Sequence, residues 1–148
     1  MDSIWKEVAK RASHLGFNIR AFDIKYDYEF ASKHDIKYIS FGKLLSISDI
    51  ISIHMPLNCR TIGIIDKTKI NKMKNMSYLI NTSRGEIVNK QALIEALELK
   101  IIAGVALDVL IMSHSHVRIN FFNLIYSEVL PLHMLRLEQL KLQIELLK

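Results

Sequence analysis

The stretch YLINTSRGEIVNKQALIEAL, residues 78–97, carries the reading of the fold. Its opening, Tyr78-Leu79-Ile80, is a short apolar run with no polar alternation, the mark of a strand buried on both faces. From Lys90 onward the apolar residues fall at helical spacing. The joint is Asn-Thr-Ser-Arg-Gly, with Arg84 where the chain turns and Gly85 granting the backbone latitude beside it. A strand that feeds a helix through a polar turn is half of a βα unit. In open α/β sheets, ligands bind outside the carboxyl ends of such strands.

Working outward, the same alternation recurs. Ile4, Val8, Ala12 and Leu15 give residues 3–15 a helical period, and Gly16 is a natural stop. FNIRAFDI reads as a strand ending near Asp23. IKYIS (36–40) is a short strand, followed by a short helix around Leu44 and Leu45. SDIISIHMPL (48–57) is a continuous apolar strand ending in Pro56. Residues 66–74 suggest a short helix with Asp66 as N-cap. A helix over about 89–99 and a strand over 102–111 follow. The segment after it is irregular with a possible strand. The chain closes on MLRLEQLKLQIELLK, read as a helix with Leu137, Leu140, Ile144 and Leu147 on one side. Helices alternating with unalternated apolar strands predict an α/β fold with a parallel sheet.

Composition narrows the function classes. Among 148 residues, 50% are hydrophobic and 24% charged, within the range of a globular domain. No run of 18 apolar residues occurs, so no membrane span is expected. The first residues, MDSIWKEVAKRASHLG, are charged throughout and do not read as a signal peptide. The single cysteine, Cys59, cannot form an internal disulfide and gives no sign of an oxidising compartment. These features set the expectation of a cytoplasmic location. The net charge is +5, but the lysines are scattered and lack interleaved aromatics, so no nucleic-acid partner is expected. His114 and His116 form a short pair without further ligands, so no metal site is expected.

The run from Leu44 to Val109, with the helix from Ile4 before it, strongly resembles the nucleotide-binding domain of the D-isomer-specific 2-hydroxyacid dehydrogenases. That family includes phosphoglycerate dehydrogenases and glyoxylate or hydroxypyruvate reductases. The resemblance implies a Rossmann-like, doubly wound parallel sheet, NAD as cofactor, a small 2-hydroxy or 2-keto acid substrate and a homodimer. It implies that Arg84 holds the substrate carboxylate, which suits a planar, permanently charged fork. It implies that Asp23 takes the adenosine ribose hydroxyls, which favours NAD over NADP. His54, Pro56 and Thr61 match the loop beside the cofactor, and Thr82 and Asp108 match contacts nearer the nicotinamide. His133, in SEVLPLHMLRLEQL, matches the family's acid/base histidine, whose ordinary pKa near 6.5 suits proton exchange at neutral pH.

Three departures stand against that pattern. Asp2 and Trp5 occupy the places of two fingerprint glycines, one adding charge where pyrophosphate sits and the other adding bulk. Ser113 replaces the glutamate that partners the histidine, and Lys100 replaces the glycine that ends the preceding helix. The family's first strand is missing before residue 4, so the neighbouring strands are expected to pair directly or to accept another chain. The expected organisation is therefore a partial nucleotide-binding domain over 1–112 and a divergent segment over 113–148 ending in a helix. A truncated dehydrogenase domain is one expectation. A non-catalytic scaffold for dimerisation or protein interaction is the other.

Overall fold

The computed structural model of the protein describes residues 4–107 and the strand Gln143–Leu147. Helix α1 (Ile4–His14) leads into β1 (Asn18–Phe22), and α2 (Tyr28–Lys33) into β2 (Lys37–Tyr38). Then come α3 (Phe41–Ile47), β3 (Ile50–Ile53), α4 (Lys67–Ile70), β4 (Tyr78–Asn81), α5 (Lys90–Glu98), β5 (Gly104–Leu107) and β6 (Gln143–Leu147). The strands form one sheet in the order β2-β1-β6-β3-β4-β5. Every pairing is parallel.

The expected elements are present with shorter strands than the apolar runs suggested. Helix α2 was not anticipated. It is started by Asp27, whose carboxylate accepts from the Phe30 backbone N–H at 3.0 Å, an N-cap of ordinary kind. Asp66 starts α4 as expected, accepting from the Lys69 N–H at 2.9 Å. Its hydrogen bonds with the Lys69 and Thr68 side chains and the Lys69 backbone hold its pKa far below the usual carboxylate range.

The C-terminal reading requires correction. Residues 143–147, expected to close a helix, form a strand in the middle of the sheet. β1 and β3 neither pair directly nor wait for another chain, the two outcomes expected of them. β6 lies between them, in the position that the doubly wound order 3-2-1-4-5-6 gives to strand 1. A helical wheel aligns positions 144 and 147, whereas a strand, with its period of two, separates them.

Two apolar clusters flank the sheet. One gathers Trp5, Ala9, Ala12, Ile19, Ala21, Ala31 and Ile36 around α1, α2 and β1. The larger one is built around Leu44, Leu45, Ile51, Ile53, Leu79, Ile87, Leu93 and Val105. On β1, Ile19 and Ala21 join the first cluster. Phe22, on the other side of the pleat, stacks on Phe41 of α3 at 5.3 Å.

Candidate functional site

The register aligns the strand ends in one row. Phe22 pairs with Leu147, Leu147 with Ile53, Ile53 with Asn81, and Asn81 with Leu107. Asp23, His54 and Thr82 are therefore each the first residue beyond that row, at the carboxyl edge of the sheet. At roughly 4.8 Å per strand spacing, the rim from Asp23 to Thr82 runs about 14 Å. Asp108 follows Leu107 in sequence but lies outside the described residues, as does His133.

At one end of the rim, Asp23 is buried at 6% exposure, and its carboxylate accepts from the Lys25 N–H at 3.0 Å. Beyond it the chain carries exposed Ile24, Tyr26 and Tyr28. Tyr26 lies against Tyr38 with ring centroids 4.5 Å apart. The Tyr38 hydroxyl accepts from the Asp27 N–H at 3.1 Å, while the Asp27 carboxylate pairs with Lys6 at 2.6 Å. This brace holds the loop after β1 against α1.

In the middle, His54 Nε2 lies 2.9 Å from the Ser52 hydroxyl. Burial pushes the imidazole pKa below its ordinary value, so the ring is neutral at neutral pH. The loop that follows is folded by Thr61. Its hydroxyl donates to the Pro56 carbonyl at 2.6 Å and accepts from the Asn58 N–H at 2.8 Å. The Asn58 carboxamide oxygen then accepts from the Arg60 N–H at 2.8 Å. Thr61 thus acts on its own loop, and Pro56 supplies the carbonyl that anchors it.

At the other end, the turn after β4 is held from below by Asn81, which is 2% exposed. Its carboxamide donates to the Arg84 carbonyl at 2.8 Å and accepts from the Ser83 N–H at 3.0 Å. The Ser83 hydroxyl donates to the Ile53 carbonyl at 2.9 Å, fastening the turn to the end of β3. Thr82 is exposed between these anchors. Arg84 has extended backbone, and its guanidinium donates to the Ser83 carbonyl at 2.8 Å on an otherwise exposed side chain. Gly85 opens a 3-10 turn, Gly85–Ile87, so the bend comes from a right-handed helical turn. That turn is laced to the β3–α4 loop. Gly63 N–H donates to the Glu86 carbonyl at 2.7 Å, and Ile65 N–H donates to the Ile87 carbonyl at 3.1 Å.

The sequence pointed to Arg84 but gave no notice of Asn81 and Ser83, which position it. Their signal was available: two short polar side chains flanking an exposed threonine are the residues that rebuild turn hydrogen bonds from side chains.

Comparison with known proteins decides which family the chain belongs to. The profile of the D-isomer specific 2-hydroxyacid dehydrogenase, NAD binding domain, matches residues 1–124. The chain belongs to that family. As this dehydrogenase domain it is 41% identical to D-3-phosphoglycerate dehydrogenase of Archaeoglobus fulgidus over 103 residues, covering 70% of this chain and 20% of that protein. It is 38% identical to glyoxylate reductase of Korarchaeum cryptofilum over 109 residues, covering 74% of this chain and 33% of that one. It superimposes on D-lactate dehydrogenase with NAD+ from Lactobacillus jensenii with a TM-score of 0.69 and 31% identity, over 97% of this chain and 42% of that chain. The dehydrogenase domain therefore spans a fifth to a third of the length of these two sequence relatives.

The family's cofactor is NAD, and the donor set on this rim fits one. A buried carboxylate stands at one end, able to accept from ribose hydroxyls, and hydroxyl and guanidinium groups stand at the other. Trp5 does not stop α1 from packing. The indole is 3% exposed and meets Phe30 edge-on at 5.2 Å, so its bulk fills the first apolar cluster. Asp2 lies outside the described residues. Among the described residues no cluster of His, Cys, Asp or Glu forms a metal site, and no helix is long and apolar enough to cross a membrane.

Proposed function

We propose that the domain binds NAD along the rim from Asp23 to Arg84, as the cofactor-binding part of an NAD-dependent dehydrogenase acting on a small 2-hydroxy or 2-keto acid. The observation that carries this reading is Asp23, buried at the end of β1 in the row that also ends at His54 and Thr82. Bound NAD supplies hydride acceptance and donation. The domain's own residues do the rest. Asp23 accepts from the adenosine ribose hydroxyls. His54, Pro56 and Thr61 shape the loop alongside the cofactor, and Thr82 and Asp108 serve its nicotinamide end. Arg84 pairs with the substrate carboxylate and polarises the neighbouring carbonyl. His133 exchanges the proton. A homodimer and a cytoplasmic location complete the proposal.

The test is calorimetric titration of the folded chain with NAD+. Saturable binding that weakens about 10- to 100-fold in Asp23→Ala is expected, the scale of a lost hydrogen-bonded charge. A folded chain giving no saturable heat overturns the proposal. It would favour the second reading, a non-catalytic scaffold for dimerisation or protein interaction, for which Asp2, Trp5 and Ser113 are the supporting departures.

A further inference from the structure

The imidazole in the middle of the rim has a single protein partner among the described residues, and that partner decides what the ring can do. Ser52 and His54 are two residues apart, one within β3 and one just past its end, so the pleat sends both side chains to the same side of the sheet. Ile51 and Ile53, on the opposite side, belong to the larger apolar cluster. Across β6, Ser52 lies level with Ala21, which is part of the cluster around α1. The Ser52–His54 pair therefore faces the α1 side of the sheet, at the carboxyl end of the strands.

Ser52 is 4% exposed, and His54 Nε2, at 2.9 Å, is the only hydrogen-bond partner of its hydroxyl among the described residues. A hydroxyl has one proton to give and two lone pairs to offer. If Nε2 carried the ring proton, the imidazole would donate to the hydroxyl, and the hydroxyl's own proton would be buried with no acceptor. If Nε2 is bare, the hydroxyl donates to it, and only lone pairs go unused. A buried donor without an acceptor is the costlier of the two, so the second arrangement is the stable one. A neutral imidazole has one proton, which then sits on Nδ1. Burial keeps the ring neutral, so no second proton competes for Nε2. Nδ1 itself has no partner among the described residues, on a ring that is only partly buried.

For a ligand the difference is one of sign. A dinucleotide brings acceptor oxygens to the rim, on its riboses and on its charged diphosphate. A bare Nδ1 lone pair repels them, and an Nδ1–H donates to them. Asp23 accepts at one end of the rim, and a donor in its middle complements that task.

We propose that Ser52 is a positioning residue. Its hydroxyl donates to His54 Nε2, holds the ring as the Nδ1–H tautomer, and so gives the middle of the rim a neutral hydrogen-bond donor for an acceptor oxygen of the bound dinucleotide. The lock is a property of the chain by itself, while its use rests on the NAD reading proposed above.

The test is long-range proton–nitrogen correlation NMR of the histidine rings, on the folded full chain at neutral pH, followed by titration with NAD+. His54→Gln assigns the signal. In the wild type, Nδ1 is expected to be protonated and Nε2 bare before any NAD+ is added. In Ser52→Ala the proton is expected to be shared between the two nitrogens, and the affinity for NAD+ to fall about 3- to 10-fold, the scale of one neutral hydrogen bond. Ser52→Thr keeps the hydroxyl and is expected to restore both. A merely structural serine would change stability and leave the tautomer alone. Three results overturn the proposal. The first is a wild-type ring protonated on Nε2. The second is an unchanged tautomer in Ser52→Ala. The third is equal affinity for NAD+ in the wild type and a folded Ser52→Ala. Should Ser52→Ala fail to fold, the wild-type spectrum still decides whether the lock exists. A chain protonated on Nδ1 that takes no NAD+ defeats the functional reading and leaves the lock standing.

Discussion

The α1–β1–β2 half and the β3–β4–β5 half of this domain are built from different side chains. The second is filled by leucine, isoleucine, methionine and valine from three helices and three strands. The first relies on alanines at the contacts of α1, so its backbones approach closely but little apolar area is buried. Its largest buried residue is Trp5, at the position to which the resemblance assigns a fingerprint glycine. The difference teaches how this chain tolerates that replacement. The indole supplies much of the apolar area of an otherwise thin cluster, at roughly 25 cal/mol per Å² buried.

The comparison breaks most sharply at that residue. Trp5→Ala is expected to cost about 3–5 kcal/mol. The loss should appear first as fast amide exchange in α1 and β1, while β4 stays protected. A uniform loss across both halves would mean that the halves unfold as one unit. Leu79→Ala, at a fully buried position in the larger cluster, is expected to cost about 2–5 kcal/mol and to lower the denaturant midpoint of the whole domain.

Asn81→Ala comes next. It leaves the Arg84 carbonyl and the Ser83 N–H without their partner, and a loss of about 1–3 kcal/mol is expected from denaturant unfolding. Lys100→Gly should move in the opposite direction. Lys100 follows the end of α5 with φ of +53°, a left-handed conformation that favours glycine. Relieving it is expected to stabilise by about 1 kcal/mol, measured as a raised unfolding midpoint.

The smallest effect is on pH dependence. The folded-state pKa of His54 is below its unfolded value because the ring is buried. Between the two values the unfolded chain holds a proton that the folded chain does not, so stability rises with pH through that window. The contribution of His54 is full above about pH 6.5 and is lost as pH falls from there toward the folded pKa. Subtracting the pH profile of His54→Gln from that of the native chain should isolate this slope. A flat difference would show that the ring titrates normally.

Arg84 and Asp23 were legible in the sequence as charged residues at the ends of apolar runs, and the roles proposed for them come from the resemblance to the dehydrogenase family. The row that aligns Asp23, His54 and Thr82 was not legible, because register is a property of pairs of strands. Neither was the work of Thr61. A threonine after a proline does not reveal that its hydroxyl will close the loop onto the Pro56 carbonyl.

The C-terminal segment marks where local sequence stops. Apolar runs that end in polar turns specify β3 and β4, whose side chains are buried or half-buried on both faces. The helices that follow them come from apolar spacing and caps such as Asp66 and Asn89. LQIELL fits a helical period through Ile144 and Leu147 and a strand period through Ile144 and Leu146, and nothing local separates the two. The fold chooses the strand because β1 and β3 together offer backbone partners on both sides of one slot. A helix would satisfy its own backbone and leave theirs unpaired.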